Sequence, residues 1–238
     1  MQATTANNPA AAPQNITYMP GPNLITALER IPRRKRLTVH IDGAPALTAT
    51  LDVAVQFGLR SGLALAPARL AELRAAQDRE DAMAAALRLI AYRPRSEKEL
   101  HDRLRKRGVA GELAAATITR LKELRLVDDT AFAASWVESR DYSSPRSRRL
   151  LASELRLKGV SQAIAATSVS TVDEATAAYR AGVRRARLLS GKPFDEFQRK
   201  LGDLLLRRGF GYETARETVR RLWHEITSDD PSGSPDIT

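Results

Sequence analysis

Cysteine is absent from the 238 residues. That excludes disulfides, thiolate zinc sites and cysteine nucleophiles, and it agrees with a reducing compartment. Aromatic residues make up only 5% of the chain, so base stacking is a weak expectation. No run approaches the roughly 18 apolar residues of a membrane span. The opening MQATTANNPAAAPQNITYMP has neither the charged start nor the apolar stretch of a secretory signal. A cytoplasmic protein without membrane attachment is expected.

The residues of catalysis are equally thin. His40, His101 and His224 stand in separate segments without a ligand-spaced set around them, and Glu97 with His101 reads as a solvated helix pair rather than a metal site. No G-x-x-x-x-G-K-[ST] phosphate loop is present. Asp128, directly before an apolar helical pattern, reads as an N-cap. No catalytic residue, metal site or cofactor is assigned, and the chain is not expected to be an enzyme.

What is abundant points elsewhere. Hydrophobic residues form 43% of the chain, enough to bury a substantial core. Ala, Leu and Arg dominate, which favours helices over a sandwich or barrel. The net charge is +10 and the pI about 10.4, an excess that draws polyanions by long-range attraction.

Composition divides the chain. Residues 1–22 form a polar tail and 228–238, SDDPSGSPDIT, an acidic one; neither can bury enough apolar surface to order itself. Residues 23–75 read as a small β-rich module. In it RLTVHI and PALTAT flank Asp42-Gly43, a hairpin turn pair, and a short helix near Asp52 to Phe57 closes the module. From about 78 the periodicity is helical, with Met83, Leu87 and Ile90 on one stripe and Phe132 four before Trp136.

A single phrase recurs through the helical region. LRKRGV at 104–109 is followed by LRLKGV at 155–160 and LLRRGF at 205–210. Around the glycines Gly108, Gly159 and Gly209 the register extends in both directions. Leu100, Leu151 and Leu201 stand eight before; Leu104, Leu155 and Leu205 four before; Ala114, Ala165 and Ala215 six after; Ile118, Val169 and Val219 ten after; Leu121, Val172 and Leu222 thirteen after. Each unit is expected to be a helix ending in a cation and glycine, a tight turn and a second helix, preceded by a third such as 129–141. Ser96 and Glu99 have the spacing of a capping box, so a helix should start at Ser96 and stop at Gly108. The segment Ala166 to Val172 is rich in poor helix formers, yet register argues for helix there.

The fold class is therefore mainly α: a tandem array of three three-helix repeats, at 78–127, 128–172 and 173–227, after the β-rich module. Such units have thin cores, so neighbours should stack, giving an elongated or curved molecule. A closed row of unlike repeats needs no second copy, and a monomer is expected.

The cations are the candidate binding residues. RPRSEKELHDRLRKR at 93–107 carries seven against three acids, with further arginines at Arg140, Arg184, Arg185 and Arg187. Singly, each suits a solvated helix face or the negative end of a helix dipole. As a set, recurrence at matching ends of stacked units would align them into a stripe that suits a phosphate backbone or an acidic groove. The candidate contacts are Arg93, Arg95, Arg105, Lys106, Arg107, Arg146, Arg148, Arg149, Lys158, Arg207 and Arg208.

RLIAYRPRSEKELHDRLRKRGV, LKELRLVDDTAFAASWVESR, SRRLLASELRLKGV and LLLRRGF together resemble the RecX family of bacterial RecA regulators, from about Leu24 to Ile226. One departure lies at Ser143-Ser144-Pro145-Arg146, where relatives often carry a glycine before the second unit's central helix. The resemblance implies a non-enzymatic regulator that binds the RecA filament on single-stranded DNA, suppresses ATP hydrolysis and strand exchange, and contacts DNA directly, with double-stranded DNA a further candidate. The rival expectation is a sequence-specific helix-turn-helix transcription regulator, although the exposed helix positions are mainly charged and lack the Asn, Gln and Arg mix of base readout.

Overall fold

The computed structural model describes residues 23–228; the tail expected at 1–22, and the acidic tail beyond Ser228, lie outside the described residues. The chain divides into two compact units at Asp81/Ala82.

In the first unit, β1 (Ile25–Arg30), β2 (Arg36–Ile41) and β3 (Ala44–Thr50) form an antiparallel sheet in the order β1-β2-β3. Asp42 and Gly43 take φ of 52° and 85° at the β2–β3 turn, as the Asp-Gly signal requires. Leu37, Val39 and Ile41 alternate onto the buried face of β2. Thr50 accepts a hydrogen bond from the Val53 amide at 3.3 Å and so caps α1 (Leu51–Gln56), the short closing helix.

The buried sheet face packs against Leu70, Leu73 and Ala76 of a helix the sequence reading starts too late. α2 runs from Pro67 to Tyr92, with proline at its first position, where a missing amide costs no helical bond. Its periodicity is faint because its early and late halves serve different cores. Gln77 accepts from the Thr50 amide at 2.8 Å, and Asp81 pairs with Arg36. Of the expected stripe, Met83 and Ile90 pack half-buried on the core while Leu87 is 40% exposed; Ala82, Ala85, Ala86 and Leu89 are buried. Alanines at the contact let helix axes approach closely, which moves the larger residues to the rim.

The second unit holds three repeats. The end of α2 packs with α3 (Glu97–Arg105) and α4 (Gly111–Glu123); α5 (Asp129–Ser143) with α6 (Arg148–Leu157) and α7 (Gln162–Ser170); α8 (Glu174–Arg187) with α9 (Phe194–Arg207) and α10 (Tyr212–Ser228). Register does win at Ala166 to Ser170, which is helical.

Local chemistry sets the boundaries. Ser96 Oγ accepts from the Glu99 amide at 3.1 Å and Ser147 Oγ from the Leu150 amide at 3.1 Å. Asp128 and Asp173 cap α5 and α8 in the same way. Gly108, Gly159 and Gly209 sit at φ of 85°, 86° and 86°. In each case the next amide bonds back to the leucine four before the glycine, Val109 to Leu104, Val160 to Leu155 and Phe210 to Leu205, the closure that glycine permits. The leucine, alanine and valine or isoleucine positions in the common register are all buried.

The cores are not equivalent. Repeat 1 has its own, built on Leu89, Leu100, Leu104, Ile118 and Leu121. Repeats 2 and 3 share one continuous core from Phe132 to Leu222.

Candidate functional site

Two joints connect the repeats, and both use the recurring phrase. At the first, Ser96 Oγ donates to the Lys158 carbonyl at 2.6 Å, and the Lys98 side chain lies where a Cβ on Gly159 would be. At the second, the Ser147 amide donates to the Arg208 carbonyl at 3.1 Å. A Cβ on Gly209 would come within 2.6 Å of Ser147 Oγ and 2.8 Å of Leu150 Cβ. The capped start of one central helix thus seats on the glycine corner of the next. Gly108 receives no preceding repeat, and among the described residues no atom beyond its chain neighbours lies within 4 Å of a Cβ built there.

This geometry divides the eleven predicted cations into two groups. Five hold the frame. Arg93 donates to Glu99 Oε2 at 3.0 Å and Lys158 Nζ to Glu99 Oε1 at 2.7 Å, so one carboxylate of α3 ties the chain before it to the end of α6. Burial alone would raise the Glu99 carboxyl, but the hydrogen bonds from Arg93 and Lys158 outweigh it and hold the group below its ordinary range. Lys158 Nζ also lies 4.1 Å from the Trp136 ring centre, within cation–π range.

Arg95 is 8% exposed and donates through Nε to the Leu89 carbonyl at 3.0 Å. Desolvation, then the charges of Arg93 and Arg103, lowers its pKa. Arg146 pairs with Glu154, which also accepts from Trp136 Nε1 at 2.9 Å and Arg140 Nε at 3.0 Å. Desolvation followed by repulsion from Arg140 and Arg208 lowers Arg146 as well. Arg208 donates to the Pro145 carbonyl at 3.1 Å. The Ser-Ser-Pro-Arg segment that stands in place of a glycine therefore supplies an acceptor to the second joint.

The remaining six are exposed. Arg148 donates from Nε to the Val172 carbonyl at 2.6 Å. Arg105, Lys106, Arg107, Arg149 and Arg207 have no acid or carbonyl partner for their side chains among the described residues. At one register position the neighbouring repeat decides the outcome. The cation one before glycine is exposed in repeat 1, as Arg107, and engaged at a joint in repeats 2 and 3, as Lys158 and Arg208.

The same register recovers residues that sequence reasoning passed over. Arg149 stands ten before its glycine, and Lys98 and Arg199 share that position; Arg105 stands three before, and Arg156 shares it. Arg156 and Arg199 are exposed, with no such partner among the described residues. Of the residues that organise the first joint, Glu154 left no signal, Trp136 showed only as an apolar helix residue and Glu99 only as a capping-box acid, whereas its side chain accepts from Arg93 and Lys158. A half-buried acid between cations looks like any helix-surface acid in sequence.

No helix among the described residues is long and apolar enough to cross a membrane. The arrangement offers unpaired guanidinium and ammonium groups on a scaffold braced by paired ones, which suits binding to phosphates or carboxylates.

Family models described as RecX, first three-helix domain, and RecX, second three-helix domain, match residues 82–121 and 128–168. Regulatory protein RecX of Levilactobacillus brevis is 33% identical over a region covering 87% of this chain and 78% of its own. The chain belongs to the RecX family. Regulatory protein RecX of Streptomyces lividans is 38% identical over 63% of this chain and 81% of its own. A crystal structure of regulatory protein RecX superposes with a TM-score of 0.62 at 22% identity, covering 84% of this chain and 99% of that one, a likeness of fold. RecX from Lactobacillus salivarius superposes with a TM-score of 0.55 at 25% identity over 63% of this chain and 99% of that one.

Proposed function

We propose that this protein regulates the RecA recombinase by binding its filament on single-stranded DNA, lowering ATP hydrolysis and strand exchange. It acts as a monomer in the cytoplasm and carries out no chemistry of its own. The observation that carries this reading is the set of exposed, unpaired cations at matching positions of stacked repeats, in a chain of a regulatory family. Arg105, Lys106 and Arg107 form the densest group. Arg149, Arg207 and the register partners Arg156 and Arg199 extend it over the other repeats, and Arg148, exposed but bonded through Nε to the Val172 carbonyl, stands beside Arg149. Such a surface meets a helical polymer of phosphates and acidic protein faces through many weak contacts, each screened by salt.

Arg93, Arg95, Arg146, Lys158 and Arg208 are expected on sequence to be contacts. Here they serve the filament indirectly, by fixing the repeats that present the exposed group.

The test is a titration of RecA, ATP and single-stranded DNA with this protein. The hydrolysis rate should fall as the protein approaches stoichiometry with RecA. A rate unchanged at saturating protein would overturn the reading. Direct affinity for an oligothymidylate should fall with salt, the slope of log K against log salt being about −0.7 per phosphate neutralised.

A further inference from the structure

Repeat 3 departs from the other two on one face. α9 starts at Phe194, fifteen before its glycine, whereas α3 and α6 start at Glu97 and Arg148, eleven before theirs, so α9 is one turn longer at its start. Three before the glycine, where repeats 1 and 2 carry Arg105 and Arg156, repeat 3 has Leu206. Three after it, where they carry Gly111 and Gln162, repeat 3 has Tyr212. Phe194, Leu206 and Tyr212 are 38%, 46% and 67% exposed, and together they wall a groove of about 240 Å³ between α9 and α10.

The groove floor is aliphatic and shallow-sided. Gly202, Ala215 and Val219 line it, and among the described residues nothing outside the helix's own backbone lies within 4 Å of a Cβ built on Gly202. Arginines rim it. At the positions of Arg216 and Arg220 the other repeats carry Ala115 and Ala166, and Thr119 and Ser170; Arg199 completes the set. Arg199 and Arg220 have no acid partner among the described residues. Arg216 pairs with Glu213, yet its buried Nε has no acceptor. Asp203 also lines the groove, leaving the arginines in excess.

We propose that this groove is a docking site for an acidic protein segment that inserts one or two bulky apolar side chains between α9 and α10. Carboxylates flanking the apolar anchor pair with Arg199 and Arg220. An apolar anchor fits better than a nucleobase because the floor is methyl-lined. The Phe194 ring lies at 66° to Trp223, with centres 5.2 Å apart, and Tyr212 stands exposed on the opposite wall, so the oligothymidylate arm of the test decides between an apolar anchor and a stacked base. Apolar anchors seated between two helices with complementary charges at the rim are a recurrent mode of segment recognition. The site shares Arg199 with the cationic set of the filament reading, but its apolar residues lie outside that set, so Leu206→Arg tests it separately.

The test titrates the full-length, ¹⁵N-labelled protein with an acetylated and amidated peptide of about twelve residues built from Asp, Glu, Leu and Phe. Saturable shifts confined to α9 and α10 are expected. They should weaken at least about tenfold in Leu206→Arg, which installs the residue of the other repeats at a half-exposed position, with the melting temperature unchanged. Absence of saturable shifts up to about 1 mM peptide overturns the proposal. Equal binding of a peptide whose Leu and Phe are replaced by Ala also overturns it, by showing that charge alone suffices. An oligothymidylate that gives the same shifts at lower concentration overturns it in favour of a nucleic-acid site.

Discussion

The two joints between repeats both seat a capped helix start on a glycine corner and differ in the side chains around it. Joint 2–3 is continuous with a shared apolar core, so repeats 2 and 3 bury Leu151, Leu155, Leu201, Leu205 and Leu222 in one cluster. Joint 1–2 separates two cores and is bridged by Ser96, Glu99, Arg93, Lys158 and the Trp136 face. Joint 2–3 also carries the Arg180–Asp141 pair and the hydrogen bond from the Arg148 amide to Glu174, but its shared core makes it less dependent on charge. A joint tied by charge responds to both, so repeat 1 is the repeat whose attachment solution conditions can loosen.

The largest effects should come from the glycines that distinguish joint from open corner. Ala at Gly108, Gly159 or Gly209 must adopt a left-handed backbone, costing about 1–2 kcal/mol at each. At Gly159 and Gly209 the new methyl also meets Lys98 or Ser147 and Leu150, adding about 1–3 kcal/mol of overpacking. Denaturant unfolding should therefore rank Gly108→Ala well above the other two in stability. Equal losses at all three would dissolve the distinction between corner and joint.

Next in size, Glu99→Gln removes a largely buried charged acceptor shared by Arg93 and Lys158, and a loss of about 1–3 kcal/mol is expected. Hydrogen exchange should rise across α3 and leave α9 and α10 unchanged. Coupling to Lys158→Met in a double-mutant cycle checks that the joint, and not the helix alone, is affected.

The serines sharpen the comparison further. Both Ser96→Ala and Ser147→Ala lose a cap, about 1 kcal/mol each. Ser96 also donates its hydroxyl to Lys158, whereas Ser147 uses its amide, which alanine keeps. Ser96→Ala should therefore cost about 0.5–1.5 kcal/mol more, read from the same unfolding curves.

The smallest effect is the acid response. The Glu99 carboxyl is held below its ordinary 4.5 in the fold. Its stabilising contribution is fully present above the ordinary value and is lost as pH falls through the lower folded one. Asp129 works the other way. Burial raises its carboxyl, against a hydrogen bond from the Glu97 amide, so its protonation relieves a cost as pH falls. Below about pH 4.5 the wild type should lose stability faster than Glu99→Gln; parallel curves would remove Glu99 from the account.

Much of this architecture is legible in the residues themselves. The glycine ruler locates the three central helices, their buried leucines and the helices that follow, because a repeat forces the same packing at the same offset. The Asp-Gly turn and the serine and aspartate caps are legible for a local reason, since each acts within three residues. The start of α2 is not, because a helix whose two halves serve two cores shows no single period. Which cations are exposed is not legible either. Arg107, Lys158 and Arg208 share one position and differ only in whether a preceding repeat claims it, and that depends on packing far along the chain.

The most direct measurement compares two sets of substitutions in one protein. Arg105, Lys106 and Arg107 are replaced by Ala in the first variant, and Arg208 by Ala in the second; each is assayed for oligothymidylate affinity against salt and for denaturant unfolding. The first variant should bind more weakly with a shallower salt slope and unfold like the wild type, while the second should lose stability of about 1 kcal/mol with its salt slope kept. A first variant that binds like the wild type, or a second that loses binding with its stability intact, would contradict the division of these cations into exposed contacts and structural braces.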